Sequence, residues 1–159
     1  MQRIVEKLKL KNKTISTMES CTGGGLANVI TNIEGVSDAF KFSAVTYSNE
    51  YKIKMGVSSN VIDKYSVYSM ETAMEMSKNI SDFANSNYGI GITGKLNRAD
   101  INNLYGSDNT VYISIYDRDL DKYSNYSINV DKKSRKENKI VVIKLIKEKL
   151  LEILGDYYD

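Results

Sequence analysis

Apolar positions along the chain change their period repeatedly, and each change marks an element. Over residues 1–11, Ile4, Val5, Leu8 and Leu10 recur at helical spacing, which predicts a short amphipathic helix. Asn12-Lys13 then turns, and Thr14 to Met18 alternates with β-branched residues as a pleated strand does. Glu19 to Thr22 is a polar turn, and past Gly23-Gly24-Gly25 the run Leu26 to Ile33 is apolar at helical spacing. A helix is therefore expected from about Thr22. Gly35 to Asp38 reads as a loop. Phe40 to Tyr47 predicts a second strand, with Phe40, Phe42, Ala44 and Thr46 on one face and Ser43, Val45 and Tyr47 on the other. From Ser48 the period turns helical through Ile53 and Met55 until Gly56 stops it. Ser58 or Ser59 caps a short helix over Val61 to Tyr65.

Ser69 opens a longer helix to Phe83 or Ala84, with Ala73, Met76, Ile80 and either Phe83 or Ala84 turned inward. Methionines at this spacing read as core. Tyr88 to Gly94 is a compact apolar strand suited to the middle of a sheet. Residues 95–109 are polar and irregular. Val111 to Tyr116 and Tyr123 to Val130 form a hairpin across the turn Asp117 to Asp121. A final helix runs from Arg135 to Leu154 with Ile140, Ile143, Leu145, Ile146, Leu150 and Ile153 as its core face, leaving 155–159 as an expected frayed tail. The order predicts an α/β fold: a three-layer sandwich whose mixed central sheet is covered by helices on both faces.

Composition narrows the chemistry. The 159 residues suit a single domain over 1–159. A net charge of +2 supplies no field toward nucleic acid. No apolar run approaches the roughly 18 residues of a membrane span, and Glu6 and Lys7 stand where a signal peptide would carry its apolar run. The expectation is a cytoplasmic protein without membrane or nucleic-acid partners. One cysteine rules out an internal disulfide and a multi-cysteine metal site. The absence of histidine removes every Ser-His and Cys-His mechanism and the commonest metal ligand.

Open sheets of this class bind ligands beyond the carboxyl ends of their strands. Three such ends carry the reactive side chains: Ser20 after the first, Tyr47 to Lys52 after the second, Thr93 and Gly94 after the third. A serine nucleophile without histidine needs another base, and a lysine serves if its pKa is driven toward neutrality. The expectation is a Ser20–Lys52 dyad, with Lys52 acting directly or through Tyr47. Lys52 is expected near the start of its helix, where the dipole disfavours a positive charge. N–H groups around Cys21 to Gly24 would hold an oxyanion, with Ser20 and Thr22 at the mouth and Glu19 holding Lys52 or a ligand hydroxyl. Each has a plainer reading: Ser20 as a helix cap, Lys52 as a solvated lysine, Tyr47 as a half-buried strand aromatic. Cys21 is a rival nucleophile or an inert buried thiol. The glycines match neither GxxxxGK[ST] nor GxGxxG.

At Glu19-Ser-Cys-Thr-Gly-Gly24 the sequence resembles the CinA C-terminal domain family, the nicotinamide mononucleotide deamidases. Phe40 to Val57 is similar to that family's F-x-x-G-x-V-x-Y-S-N-E-A-K-x-x-x-x-G-V block, Ser69 to Met76 to its S-E-x-V-A-x-E-M helix, and Gly91-Ile-Thr-Gly94 to its V-T-G turn. The resemblance implies hydrolysis of the carboxamide of nicotinamide mononucleotide to nicotinate mononucleotide and ammonia, without a metal or other cofactor. It implies Ser20, Lys52 and Tyr47 as catalytic residues. It implies substrate contacts from Glu19, Cys21, Thr22, Gly23, Gly24, Asn49, Thr93 and Gly94, with Arg135 and Lys139 of the last helix reaching a phosphate. Homo-oligomers are common in such a family. After the T-G turn the family continues I-A-G-P-x-G-G and then K-P-x-G-T-V, whereas this chain has Lys95-Leu-Asn-Arg-Ala-Asp100 and Ser107-Asp-Asn-Thr-Val111. Lys95 and Arg98 would supply phosphate charge in place of glycine N–H groups. The alternative is an altered or lost nucleotide site on a domain that binds a ligand or partner without turnover, or an amidase for a carboxamide lacking the phosphate.

Overall fold

The computed structural model describes residues 1–155; beyond Gly155, the expected frayed tail lies outside them. Five strands form one sheet: β1 (Ile15–Glu19), β2 (Phe40–Val45), β3 (Tyr88–Gly94), β4 (Thr110–Asp117) and β5 (Lys122–Asn129), in the order β2-β1-β3-β4-β5. β1 runs parallel to both β2 and β3, while β3–β4 and β4–β5 are antiparallel. The helices are α1 (Gln2–Leu10), α2 (Gly25–Thr31), α3 (Asn49–Lys54), α4 (Ser59–Tyr65), α5 (Met70–Ala84) and α6 (Arg135–Ile153), with one 3-10 turn over Val36–Asp38. The mixed sheet with helices on both faces is the predicted architecture.

The two faces of the sheet are built differently. Ile15, Ile90, Ile92, Val111, Ile113 and Ile115 turn to one side and bury against Ile4 and Leu8 of α1, Leu26 and Ile30 of α2, and Val142, Ile146 and Leu150 of α6. The opposite face is lined with small residues so that α5 can lie close. A side-chain carbon on Gly89 would stand 2.0 Å from the Ser77 carbonyl, and one on Gly91 2.3 Å from that of Ala73. Ser114 accepts from Ser77 Oγ at 3.0 Å across this seam, satisfying hydroxyls that burial would otherwise penalise. Met18, Val57, Met76 and Ile80 supply its apolar part.

Leu10, Phe83 and Ile140, read as inward-facing, are exposed, and of the pair Phe83 or Ala84 it is Ala84 that is half-buried. β2 is an edge strand, so Phe42 is exposed and stacks its ring on Phe83 of α5, centroids 5.0 Å apart. Phe83 is thereby 65% exposed. Ile140 is exposed as well, because the α6 seam follows Val142, Ile146 and Leu150 and a residue two before Val142 falls on the far side of a 3.6-residue helix. Among the described residues no helix is long and apolar enough to cross a membrane.

Candidate functional site

β1 ends at Glu19, and the chain turns through Ser20 to Gly24 before α2 begins. The Ser20 N–H donates to the Ile92 carbonyl at 3.0 Å, so the ladder with β3 fixes the residue that precedes the turn. Gly23 and Gly24 take φ of +61° and +90°, a region that costs other residues a steric penalty. Glu19 is fully buried and faces α2. Its Oε1 accepts from Thr22 Oγ1 at 2.7 Å and the Leu26 N–H at 2.9 Å, and its Oε2 accepts from the Ala27 N–H at 2.9 Å. The Gly25 and Asn28 N–H groups donate to the carbonyls of Thr22 and Gly24, both at 2.9 Å. The expected free helix N-terminus is therefore closed by the protein's own carboxylate, which favours that end of the helix dipole. Glu19 spends its hydrogen bonds on α2 and Thr22, not on Lys52 or the cavity.

β2 is parallel to β1, so its carboxyl end delivers α3 beside the same turn. Ser48 caps α3, its hydroxyl accepting from the Tyr51 N–H. Lys52 lies in the last turn of this six-residue helix, not at its start. It is 2% exposed. Its Nζ donates to Ser20 Oγ at 3.0 Å and to the Thr46 carbonyl at 2.7 Å. Burial brings the Lys52 pKa down to about 8; the helix dipole has no part in it, since a C-terminal position favours the cation. Burial pushes the neighbouring Cys21 thiol up to about 12, against the opposing pull of Lys52 and Arg135. Cys21 is thus a protonated thiol and a poor nucleophile.

A cavity of about 590 Å³ opens over Ser20 and Lys52. Of the residues expected at the site, Ser20, Cys21, Tyr47, Asn49, Lys52, Gly94 and Arg135 line it. The others lie behind it or to one side. Thr22 is buried on Glu19. Thr93 is buried with its hydroxyl donating to the Val67 carbonyl at 2.9 Å. Gly24 sits against Val45, and Lys139 lays its Nζ beside Gly23, 3.2 Å from where a side-chain carbon there would be. Tyr47 is 65% exposed, and its hydroxyl accepts from Arg135 at 3.2 Å. Lys52 reaches Ser20 without it.

The opposite wall is a strap, residues 95–109, joined by the loop before α5. Val67, Tyr68, Lys95, Leu96, Arg98, Asp100, Asn102 and Asn103 face the cavity. The Tyr68 hydroxyl donates to Asp100 Oδ2. Asp100 also accepts from the Asn102 N–H at 2.9 Å and from Asn103 Nδ2 at 3.2 Å. These bonds, with Tyr68's first, hold the Asp100 carboxyl below its usual range; burial first and this contact second raise the Tyr68 phenol. Lys95 is buried with its Nζ 5.1 Å from the Tyr68 ring centroid and 3.5 Å from Asp108. Sequence reasoning named Lys95 and Arg98 of this wall and missed Tyr68, Asp100, Asn102 and Asn103, for which Asp100-Ile-Asn102, an Asx-turn pattern, is the local signal. Among the described residues no three His, Cys, Asp or Glu side chains gather as metal ligands would.

The CinA C-terminal domain model matches residues 1–150. The chain belongs to the CinA C-terminal domain family. It is 44% identical over 96 residues to a "Putative competence-damage inducible protein" of Thermoanaerobacter sp. (strain X514), a match covering 59% of this chain and 23% of that protein. A relative of the same name from Clostridium beijerinckii matches at 44% over 96 residues, again 23% of its length. The matched stretch spans about a quarter of these curated relatives. Solved structures share the fold: a CinA superfamily protein from Klebsiella pneumoniae 700603 superimposes with a TM-score of 0.89 at 21% identity, covering 98% of this chain and 96% of that one. A competence/damage inducible protein from Agrobacterium tumefaciens does so with a TM-score of 0.84 at 24% identity, over 94% and 90%.

Proposed function

We propose that this CinA-family chain is an amidohydrolase that converts nicotinamide mononucleotide to nicotinate mononucleotide and ammonia through Ser20 and Lys52. One observation carries the proposal: a buried lysine, its pKa lowered to about 8, lies 3.0 Å from a serine hydroxyl at the floor of a cavity. A lysine in that state is a general base near neutral pH, and none of the ion pairs among the described residues uses it.

In the neutral amine the contact reverses, with Ser20 Oγ–H donating to the Nζ lone pair while Thr46 O takes an amine hydrogen. Lys52 accepts the hydroxyl proton as Oγ bonds to the carboxamide carbon, and the carbonyl π electrons move onto oxygen. The N–H groups of Cys21 and Thr22, next to Ser20 in the turn, receive that oxyanion. The C–N bond then breaks, Lys52 returns its proton to the departing nitrogen, and ammonia leaves an acyl ester on Ser20. Water attacks the ester, Lys52 takes its proton, and Ser20 regains one as the carboxylate departs. The sum is carboxamide plus water giving carboxylate plus ammonium, the acid's proton passing to the released ammonia.

The test is chromatography of nicotinamide mononucleotide incubated with protein in excess chelator. Formation of the carboxylate nucleotide, lost in Lys52→Met, is expected. Equal formation by Lys52→Met would exclude lysine as the base.

A further inference from the structure

The strap is tied down firmly at its feet and at one point of its tip. At the feet, Lys95 and Leu96 are buried. The Lys95 ammonium pairs with Asp108 at 3.5 Å, the Arg98 N–H donates to the Asp108 carbonyl at 2.9 Å, and Asn138 of α6 donates to the Leu96 carbonyl at 3.2 Å. Beyond that pinch the chain leaves the body. From Asn97 to Asp108 every residue is exposed except Asp100 and Asn103, which are half-buried. Ile101, Leu104 and Tyr105 join neither apolar core.

The bonds inside the tip are local. Asp100 accepts from the Asn102 N–H and from Asn103 Nδ2, and the Asn103 N–H donates to the Asp100 carbonyl at 3.1 Å, so an Asx turn keeps Asp100 to Asn103 together as a unit. Among the described residues one hydrogen bond joins this unit to the rest of the chain, from the Tyr68 hydroxyl to the Asp100 carboxylate. Tyr68 is the fixed post: its N–H donates to Ser66 Oγ at 3.2 Å, and its ring lies 5.1 Å from the buried Lys95 ammonium. Asn97 and Gly106 bracket the tip, with φ of +62° and +79°. No atom stands within 4 Å of where a side-chain carbon on Gly106 would be, so a backbone rotation there meets no packing. A segment with few apolar contacts and one bond to the body opens at low cost, and one hydrogen bond is worth about five- to tenfold in a two-state population. Ala99, Asp100, Asn102 and Asn103 line the cavity that holds Ser20 and Lys52, so swinging the tip away widens the approach to both.

We propose that residues 99–105 are a flap that gates the cavity, hinged at Asn97 and Gly106 and latched by the Tyr68 hydroxyl on Asp100. The proposal concerns access to Ser20 and Lys52 alone; it stands or falls separately from amide hydrolysis. Two measurements test it without turnover. The first is cleavage by chymotrypsin after Leu104 or Tyr105, which requires the tip to leave the body. The second is acetylation of Lys52 by succinimidyl acetate at pH about 8, followed by mass spectrometry; Lys52 is 2% exposed and is reached through the cavity. Thermal melts confirm that each variant folds. Tyr68→Phe and Asp100→Ala should each speed both reactions at least about fivefold over the wild type. Once Asp100→Ala has removed the latch, adding Tyr68→Phe should change neither rate further. Unchanged cleavage in Tyr68→Phe, unchanged acetylation of Lys52, or a full further acceleration by Tyr68→Phe on top of Asp100→Ala would each overturn the gate.

Discussion

The two walls of the cavity are made by different means. The wall that carries Ser20 and Lys52 hangs from the ends of two parallel strands and a capped helix. Each of its side chains is held by something regular: Ser20 by the Ile92 carbonyl, the turn by Glu19, and Lys52 by the Thr46 carbonyl. The strap wall has no helix or strand between β3 and β4. It is held by side chains instead: Tyr68 on Asp100, Lys95 on Asp108, and Asn138 of α6 on the Leu96 carbonyl at 3.2 Å. At its tip Ile101, Leu104 and Tyr105 are exposed. In the proposed function, chemistry, which tolerates little displacement, falls to the wall built on secondary structure.

Substitutions should separate the walls, beginning with the largest effect. Ser20→Ala and Lys52→Ala should each lower turnover by about a thousandfold or more without unfolding the chain; full activity in either would dissolve the dyad. Next comes Glu19→Ala, which strands the Leu26 and Ala27 N–H groups and the Thr22 hydroxyl. It should cost roughly 3 kcal/mol in urea unfolding, and a variant of unchanged stability would return Glu19 to the cavity. The third is a pH dependence. Lys52 must be neutral to act as base, so kcat/KM should rise about tenfold per pH unit below pH about 8 and level above it. The same depressed pKa has a stability counterpart. The unfolded chain binds the lysine proton up to its ordinary pKa while the folded one releases it near 8, so stability rises with pH across that window. Lys52→Met should therefore gain stability over the wild type below pH 8 and lose that advantage at higher pH. The smallest effect belongs to the strap: Tyr68→Phe removes one hydrogen bond from Asp100 and should cost about 1 kcal/mol in a thermal melt, leaving Ser20 chemistry in place.

The same contrast explains what the sequence disclosed. The strands, the hairpin and α6 follow from periodicity, because burial on one face imposes a period of 2 or 3.6. Phe42 and Phe83 escaped that rule because an edge strand leaves room for two aromatic rings to cover each other. Ser20 and Lys52 were legible as neighbours because consecutive parallel strands bring their carboxyl ends together. Glu19 was not: read as the first residue of a polar turn, it is in fact the last residue of β1, whose alternation points it toward α2. Tyr68 and Asp100 are 32 residues apart, with no period or cap linking them, and only the folded chain makes them one feature.

The most direct test is ammonia release from nicotinamide mononucleotide by the wild type and Ser20→Ala, in parallel and at matched concentration. Steady release by the wild type that disappears in the variant is the predicted result. Equal release by both proteins, or none by a folded wild type, would contradict the account.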